Sequence, residues 1–317
     1  MKKTISIMVP CYNEEENVPL MYDALTNLFD NELNDYNYEI LFIDNKSLDK
    51  TRDQIRKICE KDKNVKAIFN AKNFGQFKSP YYALLNTTGD CTVSIAADFQ
   101  EPVEIIPKFV KEWEDGNKII CGIKNKSKES KLKFGLRALG YKLIRNFSDV
   151  QTIDQFTGFG LYDRAFMDVL RELGDPEPYF RGIVAELGFE PKMVYYTQAE
   201  RKHGKTSNNI MTLLDAGMVG VTSYTKKQFH LATLFGFFIA VLSFLGALVY
   251  LILKLCMWDS FNAGIAPLII GMFFLGGIQI FLISFIGEYI VSINKRVMNR
   301  PLVVEEERLN FKEKKEN

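Results

Sequence analysis

The chain has 317 residues, with 40 Lys and Arg against 39 Asp and Glu and a formal net charge of +1. A balance this close to zero argues against a general polyanion-binding surface, nucleic acid included, and the length allows one large α/β domain plus something smaller. Five scattered cysteines without a CxxC pair, and only His203 and His230, speak against a disulfide framework, a zinc site or a His-rich metal centre.

In chain order, Thr4 to Val9 reads as a strand that runs directly from Met1-Lys2-Lys3, which is not the pattern of a signal peptide. The acidic cluster at Glu14-Glu15-Glu16 suits a helix N-terminus, and a helix is expected over Glu14 to Phe29. Tyr38 to Ile43 is the next strand, ending at Asp44-Asn45, and Ser47 and Asp49 are candidate caps for a helix through Lys61. Val65 to Phe69 is a third strand. After Asn73-Phe74-Gly75 a helix is expected to Asn86, with Pro80 tolerable only in its first turns. Cys91 to Ala97, Glu104 to Glu114 and Lys118 to Gly122 then read as strand, helix and strand. This alternation predicts a largely parallel sheet with right-handed crossovers. Lys128 to Phe147 has a leucine stripe at Leu132, Leu136, Leu139 and Leu143 among basic residues, as a membrane-surface helix or an ordinary charged helix would. Pro176 to Gly182 reads as a rigid turn into a helix.

The second half changes character. Leu231 to Leu253 is 23 residues without a charge, and Ser260 to Gly287 is another 28. Each exceeds the roughly 20 residues needed to cross a hydrocarbon core of ~30 Å. Lys226 and Lys227 precede the first stretch, and Lys295, Arg296 and Arg300 follow the second, so the positive-inside rule puts both termini on the cytoplasmic side. The expected organisation is a catalytic domain over 1–207, a juxtamembrane interfacial region over 208–230, transmembrane helices over 231–253 and 264–287, and a charged cytoplasmic tail over 288–317.

The chemistry concentrates at Ser94-Ile95-Ala96-Ala97-Asp98-Phe99-Gln100-Glu101-Pro102, where an apolar strand ends abruptly in oxygen donors. In open α/β sheets ligands bind at such carboxyl ends. Hard oxygens of this kind suit Mg²⁺ or Mn²⁺ shared with substrate phosphates. Neither GxGxxG nor GxxxxGK[ST] is present. Instead three strand tips carry acceptors: Asn13 and Glu14, then Asp44, then Asp98 and Gln100. Each tip alone is as well explained by a cap or turn; the three together read as a site for a base, a ribose and a metal-bound phosphate. Farther on, Arg201-Lys202-His203-Gly204-Lys205-Thr206-Ser207 combines a guanidinium fork, an ammonium and hydroxyls around a glycine, a phosphate-binding composition that an exposed basic loop would also show.

The order Val9-Pro10-Cys11-Tyr12-Asn13-Glu14-Glu15, Ile43-Asp44-Asn45-Lys46-Ser47-Leu48-Asp49-Lys50-Thr51, Asn73-Phe74-Gly75 and Asp98-Phe99-Gln100-Glu101-Pro102 resembles the family 2 glycosyltransferases of the GT-A fold. Within them it is similar to the polyprenyl-phosphate group, which includes bactoprenol glucosyltransferases and dolichol-phosphate mannose synthases. Gly287-Glu288-Tyr289-Ile290 and Asn299-Arg300-Pro301 strengthen that resemblance, which covers nearly the whole chain. It implies that Pro10, Tyr12, Glu14, Asp44 and Asp98 line the nucleotide pocket, and that Asp98 and Gln100 hold Mg²⁺ or Mn²⁺ beside the diphosphate. It also implies a catalytic, phosphate-gripping role for Arg201 and Lys205, with Ser207 and Arg137 toward the acceptor phosphate. The chain departs from the family pattern at Ala96, where a first acid of D-x-D is frequent, at Asn45, and at Gly158 and Gly160, where an acid and an arginine are frequent. Asp154 is a candidate local substitute for that acid.

The resemblance implies inverting transfer of one sugar from a nucleotide diphosphate sugar, with a UDP donor expected over GDP, to polyprenyl phosphate in the bacterial cytoplasmic membrane. The product would serve O-antigen, teichoic acid or other envelope polysaccharide. Self-association through the spans is compatible with Gly276-Gly277. Two alternatives stay open on the residues alone: transfer to a diacylglycerol or other hydroxyl, and a non-catalytic membrane scaffold that binds nucleotide sugars.

Overall fold

The computed structural model describes residues 2–125, 153–199 and 265–311, with isolated helical positions between 238 and 256. The expected basic helix at 128–147, the 201–207 loop, the 208–230 region and most of the first expected span lie outside the described residues.

The element order is β1 (Thr4–Cys11), α1 (Asn17–Asn31), β2 (Asn37–Asp44), α2 (Thr51–Lys61), β3 (Val65–Asn70), α3 (Gly75–Leu85), β4 (Cys91–Ser94), a 3₁₀ turn (Val103–Ile105), α4 (Ile106–Glu114), β5 (Ile119–Lys124), β6 (Phe156–Asp163), α5 (Arg164–Leu173), α6 (Phe180–Glu186), β7 (Pro191–Tyr196), α7 (Ile265–Val297) and β8 (Glu305–Leu309). One eight-stranded sheet runs β7-β5-β6-β4-β1-β2-β3-β8. β4, β1, β2 and β3 are mutually parallel, as βαβ crossovers require. β6 is antiparallel to both β4 and β5, and β8 antiparallel to β3.

Strand residues alternate between two buried faces. Ile5, Ile7 and Val9 of β1, with Ile40 and Phe42 of β2, pack under Val18, Met21 and Leu25 of α1, Ile55 of α2 and Phe109 of α4. Met8, Leu41 and Ile43 point the other way, toward Tyr81 and Leu84 of α3, Phe166 and Leu170 of α5 and Ile183 of α6. Both faces of the central strands are covered, which is why these segments read as continuous apolar runs.

Two expectations change. β4 ends at Ser94 rather than Ala97: Ile95 N–H still reaches Met8 O at 3.0 Å, but Ala96 N–H turns to the Glu101 carboxylate at 2.8 Å. The expected charged tail is ordered as far as Phe311, because Glu305–Leu309 adds a strand to the β3 edge and Val303 is buried. α7 covers the second expected span, with many of its side chains outside the described set. Among the described residues no helix is long and apolar enough to cross a membrane, so the two spans are not confirmed.

Candidate active site

From β1 the chain moves outward through β2 and β3, then returns to β4 on the opposite side of β1. The sheet thus has its switch point between β1 and β4, where open α/β sheets bind ligands at the carboxyl ends. The residues after β1 and β2 are laced together by their own polar groups. Asn13 N–H donates to Ser47 Oγ (2.9 Å), Leu48 N–H to Asn13 Oδ1 (2.8 Å), Glu14 N–H to Thr51 Oγ1 (2.8 Å) and Lys50 N–H to Glu15 Oε2 (3.0 Å). Three non-glycine residues adopt left-handed backbone here: Asn13 (φ 56°), Lys46 (φ 65°) and Phe99 (φ 59°). Such conformations persist only where surrounding structure enforces them, and they cluster at functional sites.

The site residues expected from sequence have different surroundings. Pro10 and Tyr12 are half-buried at the β1 tip, and Pro10 lines a cavity. Glu14 is buried, and its Oε2 accepts from Asn17 Nδ2 at 2.5 Å. Asp44 is fully buried; it accepts from Ser47 N–H and forms an ion pair with Arg52, which also reaches Asn70 O at 2.6 Å. Its carboxylate is thus already engaged by partners within the protein. Asn45 Nδ2 donates to Asn73 Oδ1 and Gly75 O, and its Oδ1 accepts from Phe74 N–H and Asn70 Nδ2. A carboxylate there could not donate to the first two oxygens, which accounts for the amide. Arg137, Arg201, Lys205 and Ser207 lie outside the described residues. Ala199, at the end of the described 153–199 segment, donates its N–H to Gln100 O at 3.2 Å.

Asp98 is buried at this turn, with Oδ1 accepting from Gln100 N–H at 3.1 Å. Among the described residues no group of three or more His, Cys, Asp or Glu side chains could hold a metal ion. A carboxylate and an amide oxygen two residues apart are hard donors of the type Mg²⁺ takes, which commonly uses one or two carboxylates and leaves the rest to ligand and water.

Sequence reasoning missed Glu101. Its Oε2 accepts from Ala96 N–H (2.8 Å) and its Oε1 from Thr157 Oγ1 (2.9 Å). Its carboxyl is therefore held against the backbone of Ala96, where an acid was expected and is absent. Burial, reinforced by the charge of Asp98, outweighs these hydrogen bonds and raises its pKa to about 7. The signal available in sequence is an acid one residue before Pro102. Glu101 lines a cavity of about 180 Å³ that spans the switch point, with Pro10 and Ser94 at the strand tips, Phe77 on α3, Thr157 on β6 and Arg181 on α6.

The two glycines of β6 also have a structural account. A side chain at Gly160 would place its Cβ 2.3 Å from Ile120 O, inside the β5–β6 ladder. At Gly158 there is space, with only Phe180 at 3.8 Å, but φ is +106°. Neither position accepts an acid without rebuilding the strand. Asp154 is exposed and is not part of the cavity wall.

Residues 6–171 match the family described as Glycosyl transferase family 2. The chain is 31% identical over 300 residues to the uncharacterized glycosyltransferase YkcC of Bacillus subtilis (strain 168), covering 94% of this chain and 92% of that one. It is 30% identical over 299 residues to the SfII prophage-derived bactoprenol glucosyl transferase of Shigella flexneri, covering 94% and 96%. Among solved structures, mannosyl-3-phosphoglycerate synthase from Rubrobacter xylanophilus superimposes with a TM-score of 0.47 at 16% identity, over 69% of this chain and 72% of that one.

Proposed function

The chain belongs to glycosyl transferase family 2 and is a glycosyltransferase, and from that premise we propose that it moves one sugar from a nucleotide diphosphate donor, with UDP preferred, to polyprenyl phosphate. The observation that carries this reading is coverage. The match to a protein named bactoprenol glucosyl transferase extends over 94% of the chain, far beyond residues 6–171, and so takes in the apolar C-terminal half.

In this reading the donor lies across the carboxyl ends of β1, β2 and β4, with its diphosphate at the Asp98 turn. A lipid phosphate oxygen attacks the anomeric carbon from the face opposite the diphosphate. The new carbon–oxygen bond forms as the bond to the nucleoside diphosphate breaks, and configuration inverts. Phosphate is already anionic near neutral pH, so no strong base is needed, in keeping with the absence of an acid at Gly158. Asp98 and Gln100 would hold a divalent ion, which when bound supplies charge stabilisation to the leaving diphosphate. Arg201 and Lys205 add cationic stabilisation, with Ser207 and Arg137 toward the acceptor phosphate. α7 would anchor the enzyme in the bacterial cytoplasmic membrane, alongside a first span at 231–253, with the sheet on the cytoplasmic side. Exposed Leu268, Met272, Phe274, Ile280 and Ile283 support that anchoring.

Asp98→Ala is expected to abolish sugar transfer in membranes given nucleotide sugar and polyprenyl phosphate. Turnover within a few-fold of the parent would reject the assignment of Asp98 to the diphosphate site.

A further inference from the structure

The cavity at the switch point has walls of two kinds. Phe77 and Phe180 give it flat apolar sides, while Glu101, Thr157 and Arg181 present polar groups. It is a half-open cavity of about 180 Å³, roomy enough for several waters and polar enough along one side to hold a hydroxylated ligand.

The wall is rigidly built. Phe180 is in edge contact with Tyr81 (6.3 Å) and Tyr162 (5.0 Å), and Phe77 with Tyr179 (6.0 Å). Lys78 on α3 pairs with Glu177 at 2.5 Å in the turn that leads into α6, and Arg296 of α7 pairs with Asp175 at 2.7 Å in the same turn. The turn that leads into α6, the helix that carries Arg181, is therefore tied to α3 and to α7. Glu101 is fixed by one hydrogen bond to each carboxyl oxygen and keeps further acceptor capacity on both.

Resting on the glycosyltransferase reading above, we infer that this cavity receives the transferred sugar, and that Glu101 and Arg181 are the side chains that select it. A carboxyl group and a guanidinium on one small cavity suit a neutral polyhydroxyl ring, whose hydroxyls donate to the first and accept from the second. A phosphate would fit Arg181 but would face the Glu101 carboxylate. The aromatic walls would cover the apolar C–H faces of the ring. Fixed polar groups also give discrimination, because an analogue with a missing or inverted hydroxyl leaves one of them unpaired.

The test compares binding of UDP with UDP-glucose, UDP-galactose and UDP-N-acetylglucosamine, using the full-length protein in detergent with Mg²⁺. For the parent, one sugar is expected to add affinity over UDP alone. In Glu101→Gln and Arg181→Ala that increment should fall by about tenfold or more, the range for lost hydrogen bonds to charged groups. UDP affinity should stay within about twofold, which also shows that the variants are folded. An unchanged sugar increment in both variants overturns the inference and leaves the transferase reading intact. So does an Arg181→Ala variant that loses only affinity for undecaprenyl phosphate. A parent protein that binds no nucleotide sugar, with GDP-mannose also tried, overturns both readings.

Discussion

Glu39 sits at the opposite end of the sheet from the site, on β2, and is buried. Its carboxylate accepts from Ser6 Oγ on β1, Lys66 Nζ on β3, and both Thr88 N–H and Thr88 Oγ1 (each 2.8 Å) in the α3–β4 connection. Burial alone would raise its pKa, but Lys66, Ser6 and Thr88 together reverse this and lower it below the ordinary carboxylate value of 4.5. A depressed carboxylate contributes stability that is present above pH 4.5 and is lost as pH falls through the folded-state pKa. Glu39→Gln should therefore lower the thermal midpoint at pH 7 and flatten its decline on acidification. Glu39→Ala, which leaves Lys66 without its partner, should cost about 3 kcal/mol. Identical acid profiles for parent and Gln variant would contradict the pairing. Of the candidate site residues, Asp98 was legible in sequence as an acid that ends an apolar run, a position that a cap or turn also explains. Glu101 was not, because its role depends on a chain reversal that carries its carboxyl back to Ala96. The engagement of Asp44 was equally hidden, since it depends on Arg52 eight residues later.

At the scale of elements, the five strands expected through β5 and the helices between them were legible because short apolar runs alternate with segments of helical period. β8 was not. Its Glu305-Glu306-Glu307-Arg308 sequence reads as a solvated tail, yet basic side chains of α2 and of the β2–α2 loop pair with it: Arg56 with Glu307 at 2.6 Å, and Lys46 and Arg52 with Glu306 at 2.7 and 2.8 Å. Asn310 Nδ2 further caps Cys59 O and Val65 O, each at 2.7 Å. Charged edge strands also prevent unwanted pairing between sheets. Deleting residues 304–317 should uncover β3, lower the thermal midpoint and promote self-association, read by scattering on purified protein. Glu306→Ala alone should change the midpoint little, because that side chain is solvent-exposed. A monodisperse truncated protein of parental stability would show that β8 is dispensable to the edge.

For the whole molecule, two ties join the eight-stranded sheet to the apolar helix α7. Asp175, in the turn before α6, pairs with Arg296 of α7, and β8 returns the chain to the sheet. The site and the proposed membrane segment are therefore mechanically connected from both sides. Fractionated cells should retain the protein in membranes through alkaline carbonate washing, and release by that wash would reject spanning anchorage. The central claim is transfer to a lipid phosphate, and it is tested most directly by incubating the full-length protein with nucleotide sugars and undecaprenyl phosphate and weighing the lipid product. The account predicts a lipid heavier by one sugar residue, with nucleoside diphosphate released only when the lipid phosphate is present, and neither with Asp98→Ala. Diphosphate release without the lipid, or an unmodified lipid with every donor, would contradict it.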